Sequence, residues 1–404
     1  MVLIAGIVMV AATVPLSDGI SVWALALERD FGWSAASLSL ALILSRLVGL
    51  ADPLVGYLTD RFGSRRMMLT GLCILAAGFV FFSLIPNLLG FYVAFLIMMV
   101  GQSLCGFIPL TVLISRWFVR RRATAIAISQ ILTSVGSVVL VPVLVFSVHT
   151  DYGLLGWRLT AVVLAGLMLI VAVPVFARLR NRPEDLGLLP QGAPPGAQQT
   201  SFSMAQTFRA PAFWLISFGA AFTSMAVLVI MLFLASLMKD KGFAVQDAGG
   251  VILAYAGAVI VFEPVSGYLG DRMSKRLLLG FFSALLTAGA LVLVMADSLS
   301  MLFAFAVLFG AGFGGRGILA VVILPDYFGT ASLGKILGFS TVLGNLLLLI
   351  GPLLAGWMYD QYGTYSLTLL ILTGLSLLGT FFFLVARPPQ PPCQGELQRG
   401  LGYY

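Results

Sequence analysis

The sequence predicts an all-α polytopic membrane protein: twelve transmembrane helices arranged as two pseudo-symmetric six-helix bundles. Three observations carry that prediction. Of its 404 residues, 60% are hydrophobic and only 10% charged, with a mean hydropathy of +1.05. A soluble chain of this size carries roughly 25% charged residues. Apolar runs able to cross a ~30 Å hydrocarbon core recur from end to end. Finally, landmarks of the first half return in the second. GYLTDR at 56–61 comes back as GYLGDR at 267–272, Phe118 as Phe328, Pro142 as Pro352 and Tyr152-Gly153 as Tyr362-Gly363, at offsets of 211 or 210.

Lipid offers backbone N–H and C=O groups no partner, so the spans must be helices. Taken in order, the apolar runs place them at about 2–26, 34–58, 67–87, 89–115, 123–147 and 157–178 in the first half. The second half holds spans at about 211–237, 246–269, 276–296, 299–325, 332–358 and 365–386. The frequent glycines (44) suit close helix packing. Between the sixth and seventh spans lies the long polar segment LRNRPEDLGLLPQGAPPGAQQTSFSMAQTFRAP, whose Pro, Gly and Gln content marks a linker. The expected organisation is a first bundle at 1–178, a cytoplasmic linker at 179–210, a second bundle at 211–387 and a cytoplasmic tail at 388–404.

Basic residues give the orientation. One set of loops holds seventeen Lys and Arg, among them Arg61, Arg65, Arg66, Arg120, Arg121 and Arg122; the opposite set holds Arg29, Arg158, Lys239 and Lys241. The first set is therefore expected to be cytoplasmic, with both termini inside. The net charge of +7 belongs to those loops; no basic run exceeds Arg120–Arg122, which excludes nucleic-acid binding. Cys73, Cys105 and Cys393 have no spacing for a disulfide or metal site. The lone His149 falls at an external helix end, and no nucleophile–base pair, metal cluster or phosphate loop is present. An enzyme is excluded, and neither cofactor nor metal is expected. Met1 runs straight into the first span with no basic region before it, so this segment reads as a span, not a cleavable leader, and the native chain can begin earlier.

Two six-helix halves related by an axis along the membrane normal form a transporter architecture, with its site between the halves near the midplane. The loop Gly56-Tyr57-Leu58-Thr59-Asp60-Arg61-Phe62-Gly63-Ser64-Arg65-Arg66 and its degenerate copy from Gly267 to Arg276 resemble the signature loop of the major facilitator superfamily. The resemblance covers essentially the whole chain. It implies a conformational latch at Gly56, Asp60, Arg61, Arg65, Gly267, Asp271 and Arg272. Physically, the glycines admit close helix approach, and the two acids sit at helix ends where they can meet basic groups or a helix N-terminus. A narrower resemblance is to bacterial relatives of the monocarboxylate porters and oxalate/formate exchangers. It rests on Phe31-Gly32-Trp33-Ser34, Trp117-Phe118-Val119-Arg120-Arg121-Arg122, Gly156-Trp157-Arg158 and Arg182-Pro183-Glu184-Asp185-Leu186-Gly187-Leu188. The chain departs from that pattern in three places. Helix four has no mid-membrane arginine, helix five lacks a Gly-Pro signature, and helix eight carries Glu263 where those porters place an arginine before the proline.

A charge at the bilayer centre costs between ~2.5 and more than roughly 10 kcal/mol. Five such residues are therefore functional candidates: Asp18, Arg46, Asp52, Glu263 and Arg316. Arg316, in GFGGRGILAVV, lies near the midplane of helix ten, and its guanidinium suits bidentate recognition of an organic anion; the alternative is an ion pair with Glu263 or Asp18. Arg46 has the same two readings. Asp52 follows Arg46 by six residues, about 240° around the helix, so the two point apart. Asp52 shares a face with Ser45, Gly49 and Gly56, and Glu263 with Ala256 and Gly267. A partly desolvated carboxyl group on such a contact face can take up a proton in one conformation and release it in another. Asp18, Asp52 and Glu263 are thus the candidates for proton coupling or gating. Tyr255, Gln102 and Asn345 are neutral polar positions that can line a cavity and contact substrate, or form ordinary hydrogen bonds between helices.

These readings converge on a secondary active transporter working by alternating access. It would move a small, monocarboxylate-like organic anion with a proton, as a monomer in a plasma membrane, such as the bacterial inner membrane. An anion exchanger or an exporter of drugs or cations fits the same fold, and a non-transporting sensor or scaffold is the alternative of another class.

Overall fold

The computed structural model describes residues 1–148, 155–192, 201–244 and 246–390, without the side chains at 35, 36, 39, 42, 43 and 45. His149, Tyr152-Gly153, Cys393, Arg399 and most of the 388–404 tail lie outside the described residues.

The described residues fold as twelve helical spans. The first half comprises α1 (Val2–Thr13, a π-turn Val14–Asp18, then Ile20–Phe31), α2 (Ala35–Gly49 and Asp52–Phe62), α3 (Ser64–Ser83), α4 (Leu88–Cys105 and Phe107–Trp117), α5 (Arg122–Val148) and α6 (Gly156–Arg178). The second comprises α7 (Pro211–Leu232 and Leu234–Asp240), α8 (Asp247–Gly270), α9 (Lys275–Met295), α10 (Leu299–Phe328), α11 (Leu333–Tyr362) and α12 (Ser366–Val385). Ten are long and apolar enough to cross a membrane singly, and the two pieces of α1, bent by 44°, make an eleventh. The remaining span, α2, is divided at Leu50–Ala51 and carries Arg46, Asp52, Asp60 and Arg61, so neither piece reaches that length or apolarity.

The breaks have local causes. Pro15 lies in the π-turn that interrupts α1, and the Trp23 indole donates to the Pro15 carbonyl at 2.7 Å. Gly106 divides α4. Pro53 opens the second piece of α2; it lacks an N–H to bond the Gly49 carbonyl four residues earlier, and the Asn345 amide of α11 donates to that carbonyl instead, at 3.0 Å. Pro264, at the matching place in α8, lies inside an unbroken helix.

Three apolar cores hold the molecule. One lies in the first half and takes in Ile318 and Val322 of α10; one lies in the second; a third, on the arginine-rich side, joins α7 and α9–α12 to Ile108 and Val112 of α4. The connecting segment is pinned at both ends. Gln191 exchanges backbone hydrogen bonds with Trp117 and Val119, and Phe202 donates to the Phe328 carbonyl and packs edge-on against its ring. A short helix, Met204–Arg209, with a Ser203/Gln206 capping box precedes α7. The linker expected from composition thus has ordered ends, because its aromatic and amide residues find partners on the bundle.

Candidate functional site

Two seams join the halves: α2 against α11, and α5 against α8. Each runs from mid-membrane to the arginine-rich side, and each is built from residues related by the 211-residue repeat.

In the first seam Gly56 meets Gly334 so closely that a Cβ on Gly56 would lie 2.0 Å from the Gly334 carbonyl oxygen. One turn on, the Asp60 carboxylate accepts from the backbone N–H groups of Gly334 and Lys335, both at 3.0 Å, and from the Arg116 guanidinium at 3.3 Å. In the second seam a Cβ on Gly267 would lie 2.5 Å from the Ala127 methyl. Asp271 accepts from the N–H groups of Ala123 and Thr124, both at 2.9 Å, and from the Thr124 hydroxyl at 2.6 Å. Each acid therefore satisfies the open N–H groups at the start of a helix in the other half, where the helix dipole also favours negative charge. Of the predicted latch set, Gly56, Asp60, Gly267 and Asp271 cross between the halves. The described contacts of Arg61, Arg65 and Arg272 stay within their own half: Arg61 bonds the Tyr57 hydroxyl, Arg65 bonds the Phe176 carbonyl of α6 and Arg272 stacks on Tyr268 at 4.0 Å.

Deeper in the membrane the two acid–proline residues occupy the same seams. Asp52 accepts from the Ser103 hydroxyl of α4 at 3.1 Å and from the Asn345 amide of α11 at 3.3 Å. Glu263 faces Ser134 of α5, the counterpart of Asn345 at an offset of 211. Its Oε2 is buried without a hydrogen-bond partner among the described residues. Neither acid pairs with an arginine there.

Arg316 is 3% exposed, midway along α10. It donates to the Ala220 carbonyl at 3.4 Å and the Ser224 hydroxyl at 3.2 Å, both on α7, and lies 5.7 Å from the Phe313 ring centre. Tyr255 stands close enough to interact with it electrostatically and packs on Phe313. Its Nε is buried without a partner, and no carboxylate lies within salt-bridge distance among the described residues. The expected alternative, a fixed pair with Glu263 or Asp18, is absent from this conformation. Nor does the side chain stand open between the halves; neutral oxygens of α7 hold it.

Asp18 is exposed at the break in α1 and accepts from the Ser137 hydroxyl of α5. Its neighbour Ser17 accepts from the Gln102 amide at 2.8 Å. Arg46 is half-buried in α2, with no hydrogen bond or ion pair among the described residues. Of the two readings of Asn345, cavity lining or a hydrogen bond between helices, this conformation shows the second: its amide is committed to the broken turn of α2.

The residues that sequence reasoning missed are Ser134, Ser103, Arg116, Arg122 and Asp326. Arg122, 3% exposed, pairs across the halves with Asp326, which also binds Lys275 at 2.6 Å. A signal was present: Arg116 and Asp326 are counterparts at an offset of 210, with inverted charge.

Twelve spans, a two-fold repeat and polar groups gathered along the seam between the halves define a polytopic membrane carrier. Family comparison is consistent with that class: the model of the Major Facilitator Superfamily matches residues 3–249 and again 216–401. The chain belongs to this superfamily of transporters, which handle small molecules and are not enzymes. Human monocarboxylate transporter 11 is 28% identical over 377 residues, 90% of this chain and 76% of the relative. Monocarboxylate transporter 4 of Gallus gallus is 26% identical over 390 residues, 92% and 80% of the two chains. Among solved structures, the fucose:proton symporter of E. coli superposes with a TM-score of 0.75 at 15% identity, covering 96% of this chain and 98% of that one.

Proposed function

We propose that the protein carries a small organic anion of the monocarboxylate type together with a proton, by alternating access between its halves. The observation behind this reading is Arg316. A guanidinium stays protonated in a protein, and this one sits mid-membrane with neutral partners and an unused Nε–H. A carboxylate ligand supplies the missing charge through two parallel hydrogen bonds, with Ser224 and the Ala220 carbonyl releasing the head group as it binds. Tyr255 and Phe313 form the wall beside it. The names of the monocarboxylate transporters among its relatives support the same substrate class.

In this proposal Asp52 and Glu263 are the proton-sensitive gates. Each sits on a seam, and separating the halves removes Asn345 from one and Ser134 from the other, so protonation and seam opening are linked. Asp60 and Asp271 latch the seams. Taking the arginine-rich side as cytoplasmic, with both termini inside, the closed seams make this an outward-facing state in a plasma membrane. Asp18 is held as a second proton-carrying candidate, and Arg46 and Gln102 as secondary contacts for substrate.

The test is uptake of radiolabelled lactate or formate into proteoliposomes with an inward proton gradient. Wild-type protein should accumulate the anion, and Arg316→Gln, purified with an unchanged melting profile, should lose roughly 10–100-fold of the rate, as expected when a charged hydrogen-bonding partner is removed. Wild-type uptake by the variant overturns the assignment. Dependence on an internal anion with no dependence on the proton gradient identifies exchange instead.

A further inference from the structure

The two seams end differently on the arginine-rich side. Helix α11 is preceded by Thr330-Ala331-Ser332, whereas α5 is preceded by Arg120-Arg121 and begins at Arg122. Beside the second seam Arg120, Arg121, Asp271 and Arg272 line a cleft of about 450 Å³. Two of these arginines come from the first half and one from the second. All three are exposed, and none has a carboxylate partner among the described residues. The acid in the cleft offsets one of the three positive charges and leaves an excess of two, while both its oxygens accept from Ala123 and Thr124 and form no ion pair with the arginines. Nor is the arginine loop a loose tail. The N–H groups of Val119 and Arg120 donate to the Gln191 carbonyl, which ties the loop to the connecting segment. Arg272 is braced by the Tyr268 ring, itself exposed beside the cleft.

We propose that this cleft is a binding site for a phosphate group, held by Arg120 and Arg121 from one half and Arg272 from the other. Guanidinium forks match phosphate oxygens bidentately. A ligand that binds both halves in the closed arrangement and loses half its contacts when they part stabilises the closed arrangement by mass action. The site therefore acts on one seam only. The phosphate has two possible sources, an anionic phospholipid headgroup at the membrane surface or a soluble phosphate compound, and the chemistry is shared.

The experiment uses full-length protein in two settings. In nanodiscs, neutral phosphatidylcholine is compared with a mixture containing phosphatidylglycerol. In detergent, inorganic phosphate is titrated against chloride at constant ionic strength. Melting midpoint and the spin-label distance across α5/α8 are read in both. The proposal predicts a rise of roughly 2–4 °C and a narrowed closed distance in at least one setting. Both should be lost in Arg120→Gln/Arg121→Gln/Arg272→Gln and kept in Arg66→Gln, an exposed arginine of the same face outside the cleft. Arg272→Gln alone should lose most of the shift, which serves if the triple variant does not fold. A response in nanodiscs alone identifies lipid, and a response in detergent identifies a soluble ligand. No response in either setting, or an equal response in the cleft variants, overturns the proposal.

Discussion

The α2/α11 seam and the α5/α8 seam descend from one repeated unit, yet they are held in different ways. In the first, the ion pair Arg116–Asp60 lies within one half. From the other half come the backbone N–H groups of Gly334 and Lys335, which bind Asp60, and the Lys335 ammonium, which lies 5.2 Å from the Tyr57 ring centre without forming an ion pair among the described residues. In the second, Asp271 makes the equivalent cap and the Arg122–Asp326 pair adds a charge contact across the halves. Deeper in, the balance reverses. Asp52 is bonded across its seam by the Asn345 amide, which also repairs the turn broken by Pro53, while Glu263 keeps a buried oxygen without a partner. One seam is thus tied more firmly at the membrane surface and the other at mid-membrane. Duplication of a fold unit fixes where contacts fall; single substitutions decide what each contact is worth.

The largest expected way to break this difference is Asp326→Ala. It leaves Arg122 buried without its ion-pair partner, a loss of ~3–5 kcal/mol by the usual cost of orphaning a buried charge. The closed population should fall sharply, read as longer spin-label distances across α5/α8. Arg116→Ala orphans a buried acid in the same way and should cost a comparable ~3–5 kcal/mol of thermal stability, but its pair lies within one half, so the spin-label distances should change far less; equal distance changes in the two variants would erase the claimed asymmetry at the surface.

Next come the close approaches. Gly56→Ala drives a methyl group into the Gly334 backbone, which cannot retreat without moving α11, whereas Gly267→Ala first meets the Ala127 methyl. Overpacking of this kind costs typically 1–3 kcal/mol. Gly56→Ala should fall at the upper end and Gly267→Ala below it, measured as loss of the closed state in the same assay. The mid-membrane contrast is smaller again. Asn345→Ala strands the Gly49 carbonyl and should cost ~1–3 kcal/mol of thermal stability, against ~1 kcal/mol or less for Ser134→Ala. Smallest of all, Arg61→Gln should stay within about 0.5 kcal/mol of wild type, as an exposed side chain with local contacts does.

Much of this arrangement was legible in the sequence. The spans could be read because a lipid-facing helix must be apolar along its whole length, and the signature loop because Gly56, Asp60, Gly267 and Asp271 recur at one offset. The place of Asp60 and Asp271 at helix ends offered them basic groups or a helix N-terminus as partners, but not which of the two, nor which helices, since that depends on how the halves dock. Arg316 could be found from the cost of its charge; its shelter against Ala220 and Ser224 could not, because small neutral residues carry no pattern. Asn345 could be read as a cavity residue or as a hydrogen bonder between helices, because an amide in a span has many uses. Its role depends on a carbonyl freed by Pro53 in a different helix, a relation visible only in three dimensions. The break in α2 was hidden for a related reason: proline at 53 and at 264 reads alike, and only the first site has an amide from the facing helix to satisfy the opened turn.

The most direct test of the whole account is the pair of spin-label distances across both seams on the arginine-rich side, measured on one protein with and without the transported anion and proton. The account predicts that both distances lengthen together when anion and proton are supplied, and that neither changes in Arg316→Gln. Anion flux with both seams unmoved, or seams that open equally well in Arg316→Gln, would contradict it.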